Sequence, residues 1–323
     1  MNLFEWAEAK TVQEAIGSLG NGAVVKAGGL DVIDRLKEGL EEPKRLVNIR
    51  NLKGLDYVRE DAKAGVLRIG PLVTLDQLDK NPIVRKKFTA LADSAGKAAT
   101  PQIRNMATLG GNLLQRPRCW YFRNELFNCR KKGGTRCFAQ DGENEYHAIF
   151  DNRTCAIVHP SATATALVAF GARIEITSAK GKREVLLEEF FVSPEKDVMR
   201  ENTLGEDELI TEIRVPIQKA SVKSAYIKQG EKESFDWPIA DVAVVFDSAS
   251  KKASIVLGAA SPVPLRAKKA EAALSGKAIN QETANTAAKA ALEGATPLAE
   301  NDYKLAVFET IIRRTILKAG GVA

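Results

Sequence analysis

Thr108-Leu109-Gly110-Gly111-Asn112-Leu113 runs within a few residues into Arg116-Pro117-Arg118-Cys119-Trp120-Tyr121-Phe122-Arg123, and the second segment continues as far as Cys155. The first part is poor in side chains and rich in backbone. Glycine has no Cβ, so a main-chain amide there can approach a diphosphate closely. The second part is basic, aromatic and cysteine-bearing. Between Arg116 and Arg136 it holds Arg116, Arg118, Arg123, Arg130, Lys131, Lys132 and Arg136 against the single acid Glu125. All four cysteines of the chain, Cys119, Cys129, Cys137 and Cys155, lie in this stretch. A phosphate-cradling turn that leads into a cysteine cluster points to electron transfer.

Working outward, a second glycine pair lies near the N-terminus. Ala23-Val24-Val25 reads as a short strand, Lys26-Ala27-Gly28-Gly29-Leu30 as a tight turn, and Val32 to Lys37 as helix. Backbone N–H groups between a strand and a helix converge on anions. One glycine pair in each of two α/β units suggests a shared diphosphate. Neither is G-x-G-x-x-G, so the nucleotide fold is not expected to be a Rossmann one.

Further elements follow from caps and periodicity. Thr11 with Glu14, and Thr74 with Gln77, read as capping boxes that open helices. A helical stretch through Ala99 is expected to stop at Thr100-Pro101. Thr163 to Gly171 reads as a small-residue helix, Arg173–Thr177 with Arg183–Leu187 as a hairpin, and Leu209–Val215 as a strand closed by Pro216. Beyond residue 217 come strands at Val222–Gln229, Ile239–Phe246 and Lys252–Gly258. Alanine-rich helices follow at about 267–274, 281–293 and 302–319. This is a small sheet backed by helices, a separate α+β domain.

Composition narrows the function classes. With 323 residues, two or three domains are expected. The net charge of +6 is modest and a good part of it is local to Arg116–Arg136, which argues against a nucleic-acid-binding face. No run reaches the roughly 18 apolar residues of a membrane helix. Met1–Lys10 carries Glu5 and Glu8 and has no apolar signal core, so no export signal is expected. No G-x-S-x-G, H-E-x-x-H or P-loop pattern is present, and no catalytic acid, base or nucleophile stands out. That points to a cofactor doing the chemistry.

The cysteine spacing, C-x9-C-x7-C-x17-C, matches neither zinc ribbons nor the compact ferredoxin run. It speaks against four unconnected thiols. It does not choose between an iron–sulfur cluster and structural zinc, and two disulfides also remain open. Trp120, Tyr121 and Phe122 are expected to pack the insert. His147 and His159, the only histidines, are secondary candidates as ligands.

Ala27-Gly28-Gly29 followed by Asp31, with Ala107-Thr108-Leu109-Gly110-Gly111-Asn112, resembles the FAD-binding medium subunit of the molybdenum hydroxylases. These are the xanthine dehydrogenase, aldehyde oxidoreductase and carbon monoxide dehydrogenase relatives. Lys228-Gln229 with Ser234-Phe235-Asp236-Trp237-Pro238, and Pro264-Leu265-Arg266-Ala267 with Glu271-Ala272-Ala273-Leu274, extend the resemblance to the C-terminal part. The cysteine insert is similar to that of the bacterial, periplasmic aldehyde oxidoreductase subtype, which carries a [4Fe-4S] cluster.

The resemblance implies an α+β fold in two parts. A two-subdomain FAD-binding fold of the PCMH type is expected over residues 1–217, with subdomains of about 1–60 and 61–217 and a cluster-binding insert at 116–156. A C-terminal domain of the carbon monoxide dehydrogenase flavoprotein type follows over 218–323, a small antiparallel sheet with helices. FAD would be held by Lys26, Ala27, Gly28, Gly29, Leu30, Asp31, Val32 and Ile33, by Thr108, Gly110, Gly111 and Asn112, and by Ile210 and Lys228. Cys119, Cys129, Cys137 and Cys155 would ligate the cluster. Leu30 and Ala162 stand where relatives often carry polar side chains, leaving FAD contact there to backbone.

The implied activity is electron transfer as an oxidoreductase subunit of an aldehyde or xanthine dehydrogenase. The partners implied are a small [2Fe-2S] subunit, a large molybdenum-cofactor subunit and an external electron acceptor. The expected location is the cytoplasm, or the periplasm by co-export with a signal-bearing partner. Two competing readings are a non-enzymatic zinc-loop assembly protein and the flavin subunit of a benzoyl-CoA-reductase-type enzyme.

Overall fold

The computed structural model describes residues 2–232 and 234–322. Its N-terminal unit runs β1 (Glu5–Glu8), α1 (Val12–Gly17), β2 (Ala23–Lys26), α2 (Leu30–Lys37) and β3 (Arg45–Asn48). The strands pair in parallel in the order β1-β3-β2. Thr11 caps α1 by accepting from the Glu14 amide, and the Glu14 carboxylate accepts from the Lys10 amide. Strand β1 has no apolar run of its own, since Glu5, Trp6 and Glu8 are exposed. Pairing with β3 places it.

The middle unit opens with β4 (Val58–Asp61), β5 (Val66–Ile69), α3 (Leu75–Lys80), α4 (Pro82–Lys87), α5 (Thr89–Gly96), α6 (Pro101–Met106) and α7 (Leu109–Leu113). After the insert come α8 (Ala162–Ala169), β6 (Arg173–Ser178), β7 (Gly181–Leu186), α9 (Leu187–Phe190) and β8 (Leu209–Pro216). The strands form an antiparallel sheet in the order β4-β5-β8-β6-β7. Because β4 pairs with β5, the change of sheet falls between Asn48 and Val58. Leu67, Ile69, Ile174, Ile176, Ile213 and Val215 alternate along the three central strands and are buried. Each contributes roughly 1.5–3 kcal/mol by leaving water. Helix α8 is apolar all round, and residues 163–169 are buried throughout, as expected of a helix packed on every side.

Two local readings change. Pro101 does not end the helical region but starts α6, with Thr100 as N-cap accepting from the Ile103 amide. A proline at the first helical position gives up an N–H that has no partner in the helix anyway. The second glycine pair lies inside α7, capped by Thr108, rather than in a turn.

The C-terminal unit comprises β9 (Val222–Gln229), β10 (Ala240–Asp247), β11 (Lys252–Gly258), β12 (Leu265–Arg266), α10 (Lys268–Leu274), α11 (Gln281–Ala291) and α12 (Tyr303–Gly320). The sheet is antiparallel, in the order β12-β11-β10-β9, and the alanine faces of α10 and α11 join its core. The start of α12 grips the far end of the insert. Lys304, fully buried, donates to the carbonyls of His147 (2.9 Å) and Ala259 (2.7 Å). Burial lowers its pKa to about 7. Among the described residues no helix is long and apolar enough to cross a membrane.

Candidate functional site

The N-terminus of α2 is built to receive an anion. Gly29 is its N-cap with φ +88°, a left-handed conformation that favours glycine. Glycine has no side chain to cap with, and the first-turn N–H groups of Leu30, Asp31 and Val32 receive no side-chain capping bond. The partial positive charge of the helix start adds to these donors. Gly28 is fixed by a different need. A Cβ there would lie 2.2 Å from the Met106 carbonyl oxygen, because the loop packs directly on the residues that precede α7.

The second glycine pair acts differently from the first. The Leu109 amide donates to Val73 O (2.8 Å) and the Gly110 amide to Pro71 O (2.9 Å). The Gly111 amide donates to Thr108 Oγ1 (3.2 Å), and the Asn112 amide to Thr108 O (2.8 Å). All four N–H groups of this turn are therefore satisfied within the chain. The expectation that both glycine pairs offer backbone donors is corrected for this one. What Gly110 supplies is room, since a Cβ would lie 2.9 Å from the Pro71 Cβ. Asn112 supplies a fixed donor. Its Oδ1 accepts from Ser161 Oγ (2.7 Å) and Thr163 Oγ1 (2.6 Å), leaving its NH2 to act.

These two segments border one cleft of about 840 Å³, within the usual range for ligand clefts. Its lining includes Ala27, Gly28, Gly29, Leu30, Asp31 and Val32 from the first segment. Thr108, Gly110, Gly111 and Asn112 come from the second, with Ala162, Ile210 and Lys228 from further along the chain. Lys26 and Ile33, expected among the contacts, do not line it. The Lys26 ammonium is turned to Asn48 Oδ1 (3.3 Å) and lies 5.7 Å from the Trp6 ring centroid. Ile33 faces outward, 38% exposed. Lys228 Nζ donates to the Lys97 carbonyl (3.2 Å) and to that of Asp236, and burial lowers its pKa. Trp237 forms part of the rim, with the Arg118 guanidinium 4.7 Å from its ring centroid.

Asp31 lines the cleft, but its carboxylate faces the insert. One oxygen lies 2.7 Å from Arg123 and 2.9 Å from Arg118; the other accepts from the Arg116 amide (3.1 Å) and pairs with Arg35 (3.1 Å). Burial works against its charge, but the Arg118 and Arg123 guanidiniums hold its pKa below the ordinary aspartate value.

The four cysteines are all free thiols and line one small cavity of about 10 Å³. Tyr121, Phe122, Arg130, Lys131 and His147 are among the other residues of its wall. Backbone amides point at the sulfurs: those of Tyr121 and Phe122 at Cys119, those of Ala139, Gln140 and Ala156 at Cys137, and that of Ile157 at Cys155. Cys137 accepts a hydrogen bond from Cys155, which together with the amides pulls its pKa down to about 6. The same bond and burial push Cys155 up. Burial raises Cys119 to about 12. His147 Nε2 lies 3.2 Å from Cys119 Sγ, while its buried Nδ1 has no partner. Burial and the nearby Lys304 lower its pKa to about 4. His159 is elsewhere, edge-on to Phe191 and accepting from the Ser161 amide. Among the described residues, no three His, Cys, Asp or Glu side chains are gathered so as to hold a single metal ion.

The docking of the insert has a signal in the sequence. Asp31, Asp34 and Glu38 stand at i, i+3 and i+7, which puts them on one face of α2. Arg118 pairs with Asp34 (3.6 Å) and Arg123 with Glu38 (3.2 Å), so this stripe is where the basic insert docks.

Comparison with known proteins agrees with this geometry along the whole chain. Residues 2–218 match the FAD binding domain in molybdopterin dehydrogenase, and residues 225–319 the CO dehydrogenase flavoprotein C-terminal domain. The chain is 31% identical to the aldehyde oxidoreductase FAD-binding subunit PaoB of Escherichia coli (strain K12), covering 99% of each protein. It is 28% identical to the carbon monoxide dehydrogenase medium chain of Hydrogenophaga pseudoflava, covering 97% of this chain and 96% of that one. A solved structure of carbon monoxide dehydrogenase from H. pseudoflava superposes with a TM-score of 0.76 at 28% identity, over 99% and 98% of the two chains. The chain has the mixed fold that the resemblance implied, a PCMH-type FAD-binding part followed by an antiparallel sheet with helices, and it belongs to the FAD-binding medium subunits of the molybdopterin-dependent dehydrogenases.

Proposed function

We propose that this chain is the FAD- and [4Fe-4S]-binding electron-transfer subunit of a heterotrimeric molybdenum hydroxylase. It would take electrons released at the molybdenum and [2Fe-2S] centres of a large and a small partner and deliver them to an external acceptor. The observation that carries the flavin part is the cleft itself, with an uncapped helix start on one side and a close-packed glycine segment on the other. Bound there, FAD would supply the exchange between paired and single electrons. In this reading the chain is divided near residue 217, and the cleft is roofed by the first residues of the C-terminal part.

The residues divide the work. The amides of Leu30, Asp31 and Val32 would hold the diphosphate, with Ala27, Gly28 and Gly29 allowing its close approach. The Thr108 hydroxyl and the Asn112 amide group would orient the flavin's linking chain. Ile210 would pack on the ring, and Lys228 would bring positive charge to its edge. Leu30 and Ala162 present apolar atoms to the cleft, so the grip there is through backbone.

The donor set suits a cubane cluster. Four free thiols line one cavity, backbone amides point at three of the sulfurs, and Arg130 and Lys131 stand beside them. Amide hydrogen bonds and positive charge favour an anionic iron–sulfur centre. Zinc at about 2.3 Å would draw the same thiols into a tight tetrahedron, so metal analysis of the isolated chain separates the two. A cubane spreads its thiolates over four irons; at about 10 Å³ the cavity requires them to move outward to admit it.

The likeness to an aldehyde oxidoreductase subunit favours an aldehyde as the substrate of the complex, acted on in the large partner. Affinity isolation of the tagged chain tests the assembly. A molybdenum-containing large chain and a [2Fe-2S] small chain should accompany it. Recovery of the tagged chain with neither is the contrary result.

A further inference from the structure

Helix α2 borders the flavin cleft and receives the segment that leads into the cysteine cavity. Its N-terminus is the anion seat of the flavin cleft, and its acidic face, Asp31, Asp34 and Glu38, receives the arginines of the segment that contains Cys119. That segment is tied to Asp31 at three points: the Arg116 amide and the side chains of Arg118 and Arg123. Arg123 also bonds the carbonyls of Pro117 (2.8 Å) and Arg116 (3.0 Å), which locks the loop around its own ion pair. Both Asp31 and Arg123 are largely shielded from water, so these pairs are only weakly screened. The Phe122 ring, with Arg116 over it at 4.8 Å, lines the cysteine cavity. The carboxylate of Asp31 is thus engaged by the insert and by Arg35, while the residue itself lines the cleft.

We propose that the acidic face of α2 couples the two cofactor sites, with Asp31 as the positioning residue. A cluster held by the insert fixes Arg116–Arg123, these fix Asp31, and Asp31 fixes the helix start that grips the FAD diphosphate. The proposal rests on the [4Fe-4S] reading given above. Coupling between two binding sites is reciprocal, so FAD also protects the cluster.

The test uses the full chain, stripped of flavin and divided into an iron-loaded and a chelator-depleted sample, with FAD affinity measured on each by flavin fluorescence. In the wild-type chain the loaded sample binds FAD roughly tenfold more tightly, and added FAD slows iron loss to the chelator by a similar factor. In Asp31→Asn the two samples bind with affinities within about twofold of each other, whereas Asp31→Glu recovers part of the difference. A purely structural role for Asp31 would weaken FAD binding equally in both samples. Equal affinities in the wild-type samples, or an undiminished difference in Asp31→Asn, overturns the proposal. If Asp31→Asn does not fold, Arg118→Gln removes one of the same ion pairs and must shrink the difference; an unchanged difference there overturns the proposal too. A wild-type chain that holds no iron as isolated refutes the cluster reading first, a result distinct from iron present without coupling.

Discussion

Replacing Gly28 by alanine is the sharpest test of how the cleft is built. The added methyl would lie 2.2 Å from the Met106 carbonyl oxygen and 3.0 Å from its carbon. Carbon–oxygen contacts normally settle near 3.3–3.6 Å, so the first loop must withdraw by about 1 Å. The obstacle is main chain, and the same carbonyl accepts from Arg50 (3.1 Å), so it cannot swing aside cheaply. A shift of about 1 Å carries the α2 amides from roughly 2.9 Å to beyond hydrogen-bonding range of a phosphate. Losing two charge-assisted bonds of about 1.5 kcal/mol each weakens FAD binding by about 3 kcal/mol, or more than a hundredfold. Overpacking costs the fold another 1–3 kcal/mol or so. Bound flavin per chain after gel filtration reads the first effect, and thermal unfolding the second. Gly111→Ala is the control: its Cβ meets only Thr108 Oγ1, at 3.0 Å, so the melting temperature should move much less. A Gly28→Ala chain that keeps full flavin and wild-type stability refutes the loop-on-loop argument.

Further outcomes follow from other parts of the molecule. Cys129→Ala should take iron content towards zero by elemental analysis; retention of about four irons per chain would remove Cys129 from the ligand set. Asn112→Ala strands the buried Ser161 and Thr163 hydroxyls and should cost about 2 kcal/mol in denaturant unfolding, with weaker FAD binding; a neutral effect would show that they find other partners. Glu212 is buried, which works to raise its pKa, but Tyr57 (2.6 Å), Arg68 (2.7 Å) and Arg214 hold it below the ordinary glutamate range. Its ionised form therefore stabilises the fold above the ordinary glutamate range, and that contribution is lost as the pH falls through the folded pKa. Glu212→Gln should flatten the acid limb of a melting-temperature profile, and an unchanged limb would assign it to other carboxylates.

Where local chemistry decided the structure, the sequence was legible. Thr11 and Thr74 cap their helices, the first glycine pair lies between a strand and a helix, and the hairpin of β6 and β7 forms as read. Strand β1 was missed because its residues are mostly exposed and its place is set by pairing with the distant β3, and β4 because it is short, charged and half exposed. Pro101 was read as a stop because a proline that ends one helix and one that opens the next differ only in what precedes them, here the Thr100 cap. The site was legible in outline. Which glycine segment keeps free amides was not, since Pro71 and Val73 reach α7 only through the fold. The role of Asp31 was hidden for the same reason, although the i, i+3, i+7 acids of α2 were in view.

The central claim is that one chain carries FAD in the cleft and a [4Fe-4S] cluster among Cys119, Cys129, Cys137 and Cys155. Flavin, iron and zinc analysis of the anaerobically isolated chain tests it most directly. About one FAD and about four irons per chain are expected, with flavin bands on a broad iron–sulfur shoulder. A colourless chain that contains zinc and no flavin would contradict it.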